Sequence, residues 1–192
     1  MNNIDMQFGQ EVWKQLETIH QFGYSYSAIF SDFVDLGLLA VLSLTSNLPY
    51  PDVMERLQEN RLTGKYEDEY VKIMKRYREN ENREMGKRPA DYFAAAFGLL
   101  PKGTAKVGQD ILGDIYMEYI SHGEMGQFFT PAPICDLMTQ ITGVKDRETV
   151  ADPCCGSGRL LISAGKLNPS AHCVGVDISP MCAKMAAINM WL

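Results

Sequence analysis

Up to about residue 122 the apolar positions recur at helical spacing, as in Tyr66, Tyr70, Ile73 and Tyr77 and again in Val107, Ile111, Ile115 and Tyr119. No stretch of this part alternates in the way a half-buried strand does. Pro49 and Pro51, Gly64, the segment from Gly86 to Pro89 and that from Pro101 to Gly103 punctuate it into about five or six predicted helices. Residues 1–122 therefore predict a helical N-terminal domain.

The pattern changes after Gly123. Thr130 can cap a helix opened by Pro131, with Ile134, Leu137, Met138 and Ile141 at helical spacing and Gly143 as the stop. Thr149-Val150-Ala151 predicts a short strand ending at Asp152, followed by a glycine turn and a helix from Arg159 to Lys166. His172 to Val176 predicts a second, buried strand ending at Asp177, and Pro180 opens a last helix. Helix, strand, helix, strand, helix is the opening of a parallel α/β sheet, which assigns residues 123–192 to a second domain.

Composition narrows the class. The chain of 192 residues is 46% hydrophobic, enough to bury a core. Its longest apolar run, Leu36 to Leu44, is far short of the roughly 20 residues that span a bilayer. A cytoplasmic location without membrane association is the expectation. Five cysteines, two of them adjacent, suit reduced thiols better than a disulfide framework. A net charge of −6 and a pI near 5.1 exclude nucleic-acid binding through bulk positive charge, so any such contact needs a local patch. The segment from Lys72 to Arg88, with seven basic and three acidic residues, is either such a patch or a solvated, salt-bridged face.

The candidate chemistry lies in Ala151-Asp152-Pro153-Cys154-Cys155-Gly156-Ser157-Gly158. Small residues between a strand and a helix let a ligand approach the backbone, and the helix start offers N–H groups to an anion. A dinucleotide fingerprint would want glycine or alanine at position 161, which is Leu, and no Gly-Lys-Ser/Thr follows to make a nucleotide-triphosphate loop. Asp177, 19 residues after Gly158 and at the end of the next strand, is placed to accept ribose hydroxyls. The plainer alternative is that Asp177 caps the helix at Pro180 and the turn is an ordinary one. Cys154 and Cys155 lack the spacer of a zinc pair, so no metal site is expected. They read as small packing residues, with a lowered thiol pKa at the helix start as the other option.

Three stretches, in this order and after a helical domain, resemble the N6-adenine DNA methyltransferases, in particular the modification subunits of type I restriction systems and their short mobile-element relatives. They are Gly126-Gln127-Phe128-Phe129-Thr130-Pro131, Asp152-Pro153-Cys154-Cys155-Gly156-Ser157-Gly158 and Val174-Gly175-Val176-Asp177-Ile178. The resemblance implies the first part of a Rossmann-like methyltransferase fold with S-adenosylmethionine as cofactor. It assigns the methionine moiety to Phe129, Thr130, Asp152, Cys154, Gly156, Ser157 and Gly158, the ribose to Asp177 and the adenine face to Ile178. It implies DNA as the partner, and a specificity or restriction subunit, or a second copy, to complete the open sheet.

The same family orients the acceptor amino group with an Asn/Asp-Pro-Pro-aromatic motif, and no Pro-Pro pair occurs in this sequence. Asn47-Leu48-Pro49-Tyr50 lacks the first proline, and Asn168-Pro169-Ser170 lacks the second proline and the aromatic ring. No catalytic residue is assigned. The expectation is the cofactor-binding portion of an adenine methyltransferase; the alternatives are a non-catalytic interaction module and a methyltransferase with a non-DNA acceptor.

Overall fold

Among the described residues, the helical periodicity of the N-terminal part is realised as helices. A computed structural model describes residues 3–45, 64–80, 82–107, 110–121 and 129–192, so Asn47-Leu48-Pro49-Tyr50 and residues 126–128 lie outside the described residues. Contacts divide the chain into two compact units, residues 15–97 and residues 1–14 with 98–192.

The unit of residues 15–97 holds the later part of α1 (Asn3–His20), α2 (Tyr26–Thr45), α3 (Gly64–Met74), a 3-10 turn (Lys75–Asn80) and the first part of α4 (Pro89–Val107). Its core is aromatic and aliphatic, with Leu16, Ile19, Ile29, Phe30, Phe33, Tyr77 and Phe93 buried. Tyr77 meets the Phe93 ring edge-on at 5.2 Å and tilts against Tyr24 at 4.6 Å. The aromatic residues near the start of α2 are thus packing groups.

By length and composition, the window Tyr26–Ser43 of α2 could cross a membrane. The apolar run read from sequence stopped at Leu36 because Asp32 and Asp35 interrupt it, whereas the helix continues through both. Asp32 is 1% exposed, accepts the Tyr77 hydroxyl at 2.7 Å and pairs with Arg76. A buried carboxylate with two partners, beside buried Ile29, Phe30 and Phe33, marks a helix packed into a protein core.

Much of the basic segment is paired. Arg76 is held by Asp32, Arg88 makes a bidentate contact with Asp91, and Lys87 meets Glu84 at 2.8 Å. Arg83 stands over the Phe22 ring at 4.0 Å. These contacts favour the salt-bridged face of the two options.

The other unit carries the start of α1, the end of α4, α5 (Ile111–Ile115, running on as a π-helical turn Tyr116–Ser121), α6 (Ala132–Thr142), β1 (Thr149–Asp152), α7 (Arg159–Leu167), β2 (His172–Gly175) and α8 (Pro180–Trp191). β1 and β2 pair in parallel, Thr149 opposite His172 through Asp152 opposite Gly175, with α7 as the crossover. The pairing extends past the strand ends, since Val176 N–H donates to the Asp152 carbonyl and Cys155 N–H to that of Val176, both at 2.9 Å. The described chain is mostly helical with this small parallel sheet.

Two local expectations need correction. β2 was expected to be buried, but Val174 is 49% and Val176 59% exposed. Among the described residues one sheet face is covered: Val150 and Cys173, which are register partners, pack on Cys155, Leu161 and Ala186. Thr130 does not cap α6, because the N-cap is Pro131, whose carbonyl accepts the N–H groups of Ile134 and Cys135. The stop is as expected, with Gly143 left-handed at φ 66°.

Candidate functional site

The residues after β1 and before α6 meet around one cavity of about 250 Å³. Its wall includes Phe129 and Thr130 from the stretch leading into α6, Asp152 from the end of β1, Cys154, Gly156 and Ser157 from the glycine turn, and Arg159 and Leu160 from the start of α7. Cys135 and Met138 of α6 add an apolar side. A strand that ends in a carboxylate, a turn without bulky side chains and a helix start thus share one hollow, which suits a zwitterionic ligand.

The turn is built by its backbone. Gly156 has φ +53° and Gly158 φ +92°. A side chain at 156 would place its Cβ 2.8 Å from Phe129 Cδ1, so the aromatic ring lies directly on the glycine. Tyr116 stacks on that ring at 5.9 Å, and the Arg159 guanidinium is 5.6 Å from its centroid. Asp152 accepts the Cys154 N–H at 3.0 Å through one carboxylate oxygen.

Six of the nine residues assigned from sequence therefore line the cavity: Phe129, Thr130, Asp152, Cys154, Gly156 and Ser157. Gly158, Asp177 and Ile178 are placed elsewhere. Gly158 is the N-cap of α7 and packs on Ala186 of α8. Asp177 accepts the Gly156 N–H through one oxygen and the Ser179 N–H through the other, both at 2.8 Å. The cap of α8 is Ser179, whose hydroxyl accepts the Cys182 N–H, so Asp177 braces the glycine turn in addition to shaping the entry to α8. Ile178 is 99% exposed.

Burial pushes the Cys155 thiol up from its ordinary pKa, and the nearby Asp177 and Asp152 carboxylates push the same way. Cys135 and Cys182 are raised by burial too. The option of a lowered thiol at position 155 is thereby overturned, because desolvation outweighs the helix start. Both adjacent cysteines border the cavity, but Cys154 is exposed whereas Cys155 is buried against Leu161 and Ala186. Among the described residues, no group of three or more His, Cys, Asp or Glu is placed to hold a metal ion.

Sequence reasoning missed a polar layer beneath the cavity. Asp110, 4% exposed, is the N-cap of α5 and receives Arg159 Nε at 2.8 Å and the Ser157 hydroxyl. Asn189 of α8 donates to it at 2.6 Å. Burial alone would lower the Arg159 pKa, but the facing Asp110 and Asp114 carboxylates raise it on balance and keep the guanidinium charged. An aspartate immediately before the periodic run Ile111, Ile115, Tyr119 was the available sign of a cap, though nothing in it pointed to Ser157.

Residues 107–192 match the family model described as N-6 DNA Methylase. The chain is 30% identical over 122 residues to the type I restriction enzyme MjaVIII methylase subunit of Methanocaldococcus jannaschii, covering 59% of this chain and 20% of that protein. It is 36% identical over 92 residues to the type II restriction enzyme and methyltransferase RM.BcgI of Heyndrickxia coagulans, covering 44% of this chain and 14% of that protein. The crystal structure of a type I restriction-modification methyltransferase subunit from Streptococcus thermophilus aligns with a TM-score of 0.45 and 16% identity, covering 97% of this chain and 55% of that one. The chain spans about a fifth or less of the length of these two curated relatives. Residues 107–192 are thus similar to the N-6 DNA methylase family.

Proposed function

We propose that the cavity is the methionine end of an S-adenosylmethionine site, and that the chain supplies the methyl-donor portion of an adenine-N6 DNA methyltransferase of restriction-modification type within a Rossmann-like domain. The observation that carries this reading is the wall itself: Phe129, Thr130, Asp152, Cys154, Gly156 and Ser157 surround one hollow of about 250 Å³. The second Asp152 oxygen suits the ligand's ammonium group, and the N–H groups at the start of α7 suit its carboxylate.

Asp177 is half-buried and spends one acceptor site per oxygen on the backbone. A carboxylate has about four such sites, so it keeps capacity for ribose hydroxyls while it braces Gly156. Ile178, exposed one residue further on, offers an apolar face for adenine. Bound there, the cofactor supplies an electrophilic methyl group. The residues named here bind and orient it, and orientation of the acceptor amino group falls to residues of another segment or partner.

Calorimetric titration with S-adenosylmethionine, and separately with S-adenosylhomocysteine, tests the site. Binding of both, weakened at least about tenfold by Asp152→Asn, is expected for loss of a charge-assisted hydrogen bond. No heat from either ligand with the folded wild-type protein rejects the reading.

A further inference from the structure

The Asp110 carboxylate is fully engaged without touching the cavity. One oxygen accepts the Gly113 N–H at 2.7 Å and Asn189 Nδ2 at 2.6 Å; the other accepts Arg159 Nε at 2.8 Å and the Ser157 hydroxyl. Asn189 Nδ2 also donates to the Ser157 carbonyl at 2.8 Å, so residue 157 is gripped by both its side chain and its backbone. The second arm of Arg159 reaches Asp114, which fixes the guanidinium beside the Phe129 ring. Five residues from α5, the glycine turn, α7 and α8 thus share one buried charge cluster.

Two of these residues, Ser157 and Arg159, line the cavity, whereas Asp110, Asp114 and Asn189 do not. The close fit extends to Gly113, where a side chain would overlap both the Asp110 carboxylate and the Ser157 hydroxyl. A hydrogen-bonded cluster in a low-dielectric interior resists displacement, because moving any member leaves another buried polar group unpaired. The geometry it enforces is that of the turn at residues 156–158 and of the Phe129 ring lying on it.

We infer that Asp110 and Asn189 are positioning residues for the cofactor cavity: acting through Ser157 and Arg159, they hold the glycine turn in its ligand-ready shape before any ligand arrives. This rests on the reading of the cavity as an S-adenosylmethionine site for the identity of the ligand, and on the hydrogen bonds alone for the preorganised turn. Preorganisation lowers the ordering cost of binding, so loosening the turn weakens affinity even in a protein that stays folded.

The test uses the full chain in the variants Asn189→Ala, Asp110→Asn and both together, with Leu100→Ala as a control, since Leu100 is a buried core residue whose side chain makes none of the cluster's hydrogen bonds. S-adenosylhomocysteine affinity is measured well below each melting temperature. Asn189→Ala and Asp110→Asn are each expected to weaken it about tenfold, the double variant by no more than about thirtyfold because the two act on one turn, and Leu100→Ala by less than twofold. Should Asp110→Asn fail to fold, Asn189→Ala carries the test.

Hydrogen exchange of the ligand-free protein gives a second readout. The amides of residues 156–161 should exchange at least about fivefold faster in Asn189→Ala, with those of residues 29–34 unchanged. Wild-type affinity in Asn189→Ala, or unchanged exchange at 156–161, overturns the positioning role. Faster exchange at 156–161 in a protein whose wild type binds no S-adenosylhomocysteine would sustain the positioned turn while rejecting the ligand.

Discussion

Asp177 grips Gly156: the carboxylate that follows β2 accepts the glycine N–H at 2.8 Å and so ties the two strand ends together just beneath the cavity. Asp177→Ala removes this bond and the one from Ser179. A loss of about 2 kcal/mol in urea denaturation is expected for two hydrogen bonds to a half-buried carboxylate, together with weaker S-adenosylmethionine binding. An unchanged denaturation midpoint would show that the brace contributes nothing.

Gly156→Ala puts a side chain where Phe129 lies, at a backbone φ of +53°. The conformational cost is about 1 to 2 kcal/mol, and the displaced ring should lower ligand affinity at least about tenfold. Adding Phe129→Ala relieves the overlap, so the double variant should be more stable than the sum of the single losses implies. Strict additivity in a denaturation cycle would exclude the contact.

Cys154 is exposed on the cavity wall, while Cys135, Cys155 and Cys182 are buried thiols with raised pKa values. Iodoacetamide at pH 8 should alkylate Cys154 first, and saturating S-adenosylmethionine should slow that step at least about fivefold. Peptide mass spectrometry reads both rates. Equal labelling of Cys154 with and without ligand would contradict occupancy of this cavity.

Burial, then the hydrogen bond to the Asp32 carboxylate, raises the Tyr77 phenol well above its ordinary pKa. The folded chain keeps this proton where the unfolded chain releases it, so the contribution to stability is whole below about pH 10 and falls as pH rises further. Asp91 works at the other end of the scale. Its hydrogen bonds from Arg88 hold the carboxyl well below the usual range, giving stability that is present above about pH 4 and lost as the solution is acidified. Denaturation midpoints between pH 7 and 11 should fall less steeply above pH 10 in Tyr77→Phe than in the wild type. Parallel curves would assign the alkaline loss to other groups.

No Asn/Asp-Pro-Pro-aromatic motif occurs in the sequence, and an adenine amino group needs oxygen acceptors to hold it against the donor methyl. Incubation of this chain alone with labelled S-adenosylmethionine and duplex DNA should give no detectable label in adenine. Incorporation would mean that residues here present the base.

The legible parts of the chain were those with local signals. Gly143, β1 and the helix opened at Pro180 came directly from periodicity and turn chemistry, and Asp152, Cys154, Gly156 and Ser157 could be grouped in advance because a strand, a turn and a helix start are local facts; the structure sets them around one cavity. The exposure of Val174 and Val176 was illegible because a run of apolar residues looks the same whether one sheet face is covered or two. The burial of Asp32 was illegible because only the distant Tyr77 and Arg76 make a carboxylate acceptable there. Asp110 was invisible for the same reason, its partners being spread over α7, α8 and the glycine turn.

That spread sets the order in which the molecule can assemble. Ser157 lies 47 positions from Asp110 and Asn189 lies 79, so the cluster closes only after two long loops have lost their freedom. Contacts of such separation form late in a folding reaction. Helices α1 to α5 can all be present while the glycine turn is still loose, and during synthesis from the N-terminus the cavity must wait for α8 to emerge. Its shape is therefore a late product of folding, reached only when α8 docks.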